Sequence, residues 1–88
     1  MTKGRRLVLV EWLDSRQPAP QWQWTSSLEP ALPIKCLSVG FLLRQDRYAV
    51  ALAPNLGDID STGDQQVSGC MTIPRRAVTR IRTLASPN

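Results

Sequence analysis

The residues with the clearest claim to chemistry are the carboxylates of Asp58-Ile59-Asp60-Ser61-Thr62-Gly63-Asp64. Oxygen-bearing side chains at alternating positions, with glycine sixth, reproduce the opening of a calcium-binding loop. The twelfth position, where a bidentate glutamate closes the coordination shell, is Gly69, and no helical pattern flanks the segment. It therefore reads as an acidic loop whose Asp, Ser and Gly residues make turns. Histidine is absent, which removes every Ser-His, Cys-His and His-ligated metal scheme. Cys36 and Cys70 have neither a CxxC partner nor a histidine and read as free, buried thiols. No glycine pattern of a P-loop or a dinucleotide fold occurs. With no nucleophile, base and orienter to assemble, the chain reads as noncatalytic, and no metal or cofactor is called for.

Two groups of residues are better suited to binding. Trp22 and Trp24 stand at alternate positions among prolines, so in an extended segment they point to one side. They suit either a lid over an open end of the core or an exposed aromatic platform for a base or a partner protein, with stacking worth ~1–3 kcal/mol per base. The second group is basic. The net charge is +4, and Lys3, Arg5 and Arg6 lie near one terminus while Arg75, Arg76, Arg80 and Arg82 lie near the other. Guanidinium forks suit phosphate oxygens, although net charge alone argues nonspecific attraction and not a site.

What must position these residues is a β-structure. Arg6 to Asp14 (RLVLVEWLD) is rich in Val, Leu and Trp and ends at a turn-forming Asp-Ser pair, which predicts a strand with Trp12 in the core. The segment SRQPAPQWQWTSSLEPALP holds Pro18, Pro20, Pro30 and Pro33 and predicts a long loop, the kind that is usually functional. Ile34 to Arg44 and Tyr48 to Pro54 form a predicted hairpin, with Leu37, Val39, Phe41 and Leu43 on one side and Cys36, Ser38, Gly40 and Leu42 on the other. Gly40 in mid-strand predicts a bend or bulge. Asn55 to Gly69 reads as a loop, Cys70 to Ile73 as a short strand, and Pro74 to Ala77 as a turn. In Val78 to Leu84, the β-branched Val78, Thr79, Ile81 and Thr83 favour a strand over an amphipathic helix. Its alternation puts Thr79, Ile81 and Thr83 on one face and Val78, Arg80, Arg82 and Leu84 on the other.

Strand, long loop, bent strand, hairpin, strand, proline-led turn and last strand is an order that resembles small five-stranded Sm-like or SH3-like barrels. SVGFLLRQDRYAVAL looks like their bent-strand hairpin, and TIPRRAVTRIRTL resembles their closing strand, 3-10 turn and terminal strand. The chain is also similar to small uncharacterised proteins encoded by bacteriophages, through VEWLDS (10–15), the segment at Trp22 to Trp24, SVGFLL (38–43), LAP (52–54) and MTIPRRAV (71–78). The resemblance implies an all-β barrel with a long first loop and a 3-10 turn before the last strand. It also implies that the first and last strands pair, drawing Lys3, Arg5 and Arg6 toward Arg80 and Arg82.

At 88 residues, 42% hydrophobic and 20% charged, one folded domain is expected, with 1–5 and 85–88 as flexible tails. A chain of this size buries only roughly 60–65% of its unfolded surface, so its core is thin. No apolar run is long enough to cross a bilayer and the amino-terminal stretch lacks a secretory pattern, so a cytoplasmic protein is expected, in the host cytoplasm if phage-encoded. The expected function is a noncatalytic adaptor that binds a host or phage protein through Trp22 and Trp24, with no membrane partner. The alternative is a nucleic-acid or phosphorylated-ligand binder using the arginines. Small barrels often pair edges between subunits, which makes a homo-oligomer a third expectation.

Overall fold

The computed structural model describes residues 5–86, and among them the regular structure is β-strand apart from two single turns of 3-10 helix. The strands are β1 (Leu7–Asp14), β2 (Ile34–Gln45), β3 (Ala49–Ala53), β4 (Asn55–Gly57), β5 (Gln66–Ser68), β6 (Met71–Pro74) and β7 (Val78–Ala85). Five of them form one antiparallel sheet in the order β6-β3-β2-β1-β7, and β4 pairs with β5 in a separate two-stranded sheet. No helix of the described residues is long and apolar enough to cross a membrane.

Most strand boundaries fall within a residue of the sequence-based expectation, because β-branched and aromatic residues cluster where the chain is extended. The 3-10 turn Arg75–Ala77 precedes the last strand as expected. Pro74 ends β6 at an edge of the sheet, where its missing N–H interrupts no ladder. Three expectations about the extent and closure of the sheets need correction. The sheet is not closed by pairing, since β6 and β7 stand at its two edges. The stretch expected to be wholly loop, 55–69, contains the β4–β5 ladder, in which Leu56 faces Val67. Ala85, expected in a tail, pairs with Leu7 at the end of β7; of the other expected tail residues, Arg5 and Ser86 are exposed and outside the strands, and 1–4, 87 and 88 lie outside the described residues.

The core is small. Val8 and Val10 of β1, Val50 and Leu52 of β3 and Ile73 of β6 are buried together, and Trp12, Leu42, Ala77, Val78 and Ile81 pack against them. Trp12 is half-buried, and its indole Nε1 donates to Ser38 Oγ at 2.9 Å, which satisfies the polar end of a ring otherwise given to packing.

Strand β2 organises the sheet by changing partners along its length. Its first part pairs with β1 from Ile34 to Phe41, and its second part pairs with β3 from Phe41 onward. Gly40, expected to mark a bend or bulge, sits at this changeover of partners. A β-carbon there would lie 2.9 Å from the Ala53 carbonyl oxygen and 3.1 Å from its carbon, so two backbones meet where no side chain fits. The register shift comes later, between Leu42 and Arg44. A second shift, between Glu11 and Trp12 in the β1–β7 ladder, moves Val78 to the core side, correcting the strict alternation expected for β7.

The β2–β3 turn is fixed by Asp46, whose Oδ1 accepts from the backbone N–H of Tyr48 at 2.8 Å and of Ala49 at 2.9 Å. These two bonds, with a smaller contribution from Arg44, hold its carboxyl below the ordinary value of 3.8. A carboxylate with a depressed folded pKa stabilises the fold at neutral pH, and that stabilisation is lost as pH falls below the unfolded value and through the folded one. Asp46→Asn should therefore lower the melting temperature at pH 7 and flatten its decline on acidification. An unchanged acid limb in melting curves would remove Asp46 as a contributor.

Candidate functional site

The segment joining β1 to β2 is an arm that stands away from the sheet. Every residue from Asp14 to Lys35 is exposed, Trp22 completely and Trp24 at 82%. Four prolines keep much of it extended. One turn of 3-10 helix, Thr25–Ser27, reverses it, with the Ser27 amide donating to the Trp24 carbonyl at 2.9 Å. Near the base, Arg16 Nε donates to the Leu32 carbonyl at 2.6 Å and ties the two limbs together. The molecule is elongated, 61 × 22 × 20 Å with a radius of gyration of 17.6 Å, where a compact chain of this length has roughly 12 Å. Of the two dispositions open to Trp22 and Trp24, the lid is excluded in this conformation. The indoles face water, with Leu28 and Leu32 also exposed along the same arm.

The sheet carries a second apolar surface. Because the core uses Val8, Val10 and Trp12, the alternate residues of β1 face outward, where Leu9 pairs with Val39 and Glu11 with Leu37. Leu37 is 68% and Val39 51% exposed. Of the two faces expected for β2, the one containing Leu37 and Val39 is therefore the outer one. On the other flank of β1, Arg82 pairs with Leu9 and Arg80 with Glu11, and Arg80 Nε lies 3.7 Å from Glu11 Oε2. The outer face thus carries Leu9, Leu37 and Val39 with the Glu11 carboxylate among them, and Arg80 and Arg82 along one flank.

The basic residues do not form a single row. Arg80 and Arg82 share the outer face, but Arg6 reaches Thr83 Oγ1 at 3.3 Å, and Thr83 lies opposite the core residue Val8. Arg5 crosses to the other flank of β1 and donates to the Leu43 carbonyl at 3.2 Å. Arg75 and Arg76 occupy the 3-10 turn before β7, where the Arg75 amide donates to the Tyr48 carbonyl at 2.8 Å. Lys3 lies outside the described residues. The β1–β7 pairing is as expected, but the pairing places Arg80 and Arg82 opposite Glu11 and Leu9 while Arg5 and Arg6 bond elsewhere.

The acidic loop follows Asp58, which adopts a left-handed conformation with φ 56° after β4. Ser61 donates its amide to the Asp58 carbonyl, and its hydroxyl accepts from the Gly63 amide. These are turn bonds of the type that Asp, Ser and Gly supply. Among the described residues no group of three or more His, Cys, Asp or Glu is arranged to hold a metal ion. Cys36 and Cys70 are both free; Cys36 is half-buried and Cys70 is exposed, not buried as expected.

Compared with protein-family models, curated proteins and solved structures, the chain matches none. The site is accordingly read from its own geometry, as an aromatic arm and an apolar sheet face on one chain. The face was missed in the sequence because β2 is apolar on both sides, and only the position of the core decides which side is left over.

Proposed function

We propose that this chain is a noncatalytic, phage-type adaptor of the small Sm-like or SH3-like barrel kind. It acts in the host cytoplasm and docks on a host or phage macromolecule, a protein in the first instance, through the arm between β1 and β2. The barrel reading is supported by the order β6-β3-β2-β1-β7, in which a β6–β7 pairing alone is wanting for closure.

One observation carries the functional reading: the arm is redundant to the fold. Strands β1 and β2 pair to their ends, with Asp14 opposite Ile34, so a tight turn suffices to join them. Residues 15–33 intervene instead, bury nothing in the core and hold Trp22 and Trp24 in water. Exposed tryptophans are costly to solubility, and tryptophan is the residue type most enriched at binding hot spots. Prolines stiffen the arm in the free state, which reduces the ordering entropy lost on docking.

The test is capture from host lysate by the full chain, with and without nuclease, alongside a Trp22→Ala, Trp24→Ala double variant. The expected result is a protein partner that survives nuclease and is lost with the double variant. Equal capture by the variant would sink the arm as the docking element. A second reading, nucleic acid or a phosphorylated ligand, is favoured by Arg80 and Arg82 on one exposed face. Its signature is nuclease-sensitive recovery that weakens with salt, with a log-log slope of about −0.9 per phosphate contacted on a duplex.

A further inference from the structure

We infer that the arm docks on a second copy of this chain, each protomer laying Trp22 and Trp24 across the Leu9, Leu37 and Val39 face of the other. The inference rests on the reading of the arm as a docking element and names its partner. Two unmet requirements occur among the described residues: an apolar arm that buries nothing in the core, and an apolar sheet face left open at Leu37 and Val39 beside the half-buried Leu9. A two-fold dimer meets both at once, because an isologous interface pairs arm with face twice.

The areas agree with this. The chain exposes 7323 Å², whereas a compact monomer of 9.8 kDa exposes roughly 5,200 Å². The surplus of roughly 2,000 Å² exceeds the roughly 800 Å² per partner that a standard stable interface buries.

Charge agrees as well. Between residues 17 and 33 the arm carries a single ionisable side chain, Glu29. The face is bordered by Arg82, Arg80 and Lys35, with Glu11 the opposing carboxylate. An indole laid along Leu9 and Val39 comes beside Arg82, whose guanidinium can stack on it. Arms of opposite direction also keep like-charged faces apart, since each face meets an arm and not another basic face.

Sedimentation of the full chain from about 1 to about 100 µM, bracketing a micromolar dissociation constant, tests this together with tryptophan emission. The expected result is a dimer whose emission shifts to the blue as it forms. Trp22→Ala with Trp24→Ala, and separately Leu37→Asp with Val39→Asp, should each weaken self-association at least about 100-fold while retaining the wild-type circular dichroism spectrum. Mixed together, these two variants should associate where neither does alone, since the mixture restores one intact arm-to-face contact. A wild-type monomer throughout the range overturns the inference. If its emission is already blue, the arm folds onto its own face; if its emission is that of exposed indole and a lysate protein is captured, the docking reading stands with a foreign partner. A monomer that captures nothing overturns both.

Discussion

Gly40→Ala should destabilise the protein by about 1–3 kcal/mol, the range for forcing atoms into a filled site. At ~4–8 °C per kcal/mol for a domain of this size, the melting temperature should fall by roughly 5–20 °C. The sign is informative, because replacing a strand glycine ordinarily raises stability by about 0.4–1 kcal/mol through the unfolded chain's entropy. Here the added carbon meets the Ala53 carbonyl oxygen at 2.9 Å and the Ala53 nitrogen at 3.2 Å, backbone atoms that no rotamer change can move. Relief requires β3 to shift away from β2, which pulls Val50 and Leu52 from the core. Gly40→Val should remove the cooperative transition at 37 °C. Thermal melts decide the matter, and a Gly40→Ala protein melting with the wild type would show that the β2–β3 crossing is looser than these distances.

The same glycine shows how far the sequence could be read. Its position in mid-strand announced a bend or bulge in β2; at Gly40 itself there is a close backbone approach, and the register shift lies near Leu43. Strand propensity located β1, β2, β3, β6 and β7 because each contains enough β-branched or aromatic residues to outweigh alternatives. It failed for Asn55–Gly57 and Gln66–Ser68, where three-residue strands contribute one apolar side chain each, Leu56 and Val67, too few to carry a period. The exchange of faces at Val78 was illegible because a register shift leaves no compositional mark.

The candidate site was half legible. Prolines and alternating tryptophans marked residues 15–33 as an unusual loop, but nothing in QWQW says whether the rings turn in or out. That depends on what surface lies within reach, and here the core is made by Val8, Val10, Val50, Leu52 and Ile73 with Trp12 beside them, while Trp22 and Trp24 stay outside it. The arginine row failed for a related reason. Pairing β1 with β7 fixes neighbours along the ladder, whereas a patch also needs a shared face, and Arg6 and Arg82 fall on opposite ones.

Replacing residues 15–33 with an Asn-Gly turn should separate fold from function. The sheet is expected to survive, since Asp14 already lies opposite Ile34 and no residue of the excised segment is buried. Shortening the connection lowers the closure entropy, by up to about 2 kcal/mol on the logarithmic length dependence. At protein concentrations where the wild type is dissociated, the shortened chain should therefore unfold at equal or higher denaturant. Partner capture and self-association should both disappear, because the deletion removes Trp22, Trp24, Leu28 and Leu32 together. The hydrogen bond from Arg16 to the Leu32 carbonyl goes with them, but that bond ties the arm to itself and not to the sheet. If the shortened chain instead fails to fold, the arm is part of the folding unit and its exposure describes only one of its states. If it folds and still binds, docking belongs to the sheet face, and the aliphatic strip of Leu9, Leu37 and Val39 takes the role assigned to the tryptophans.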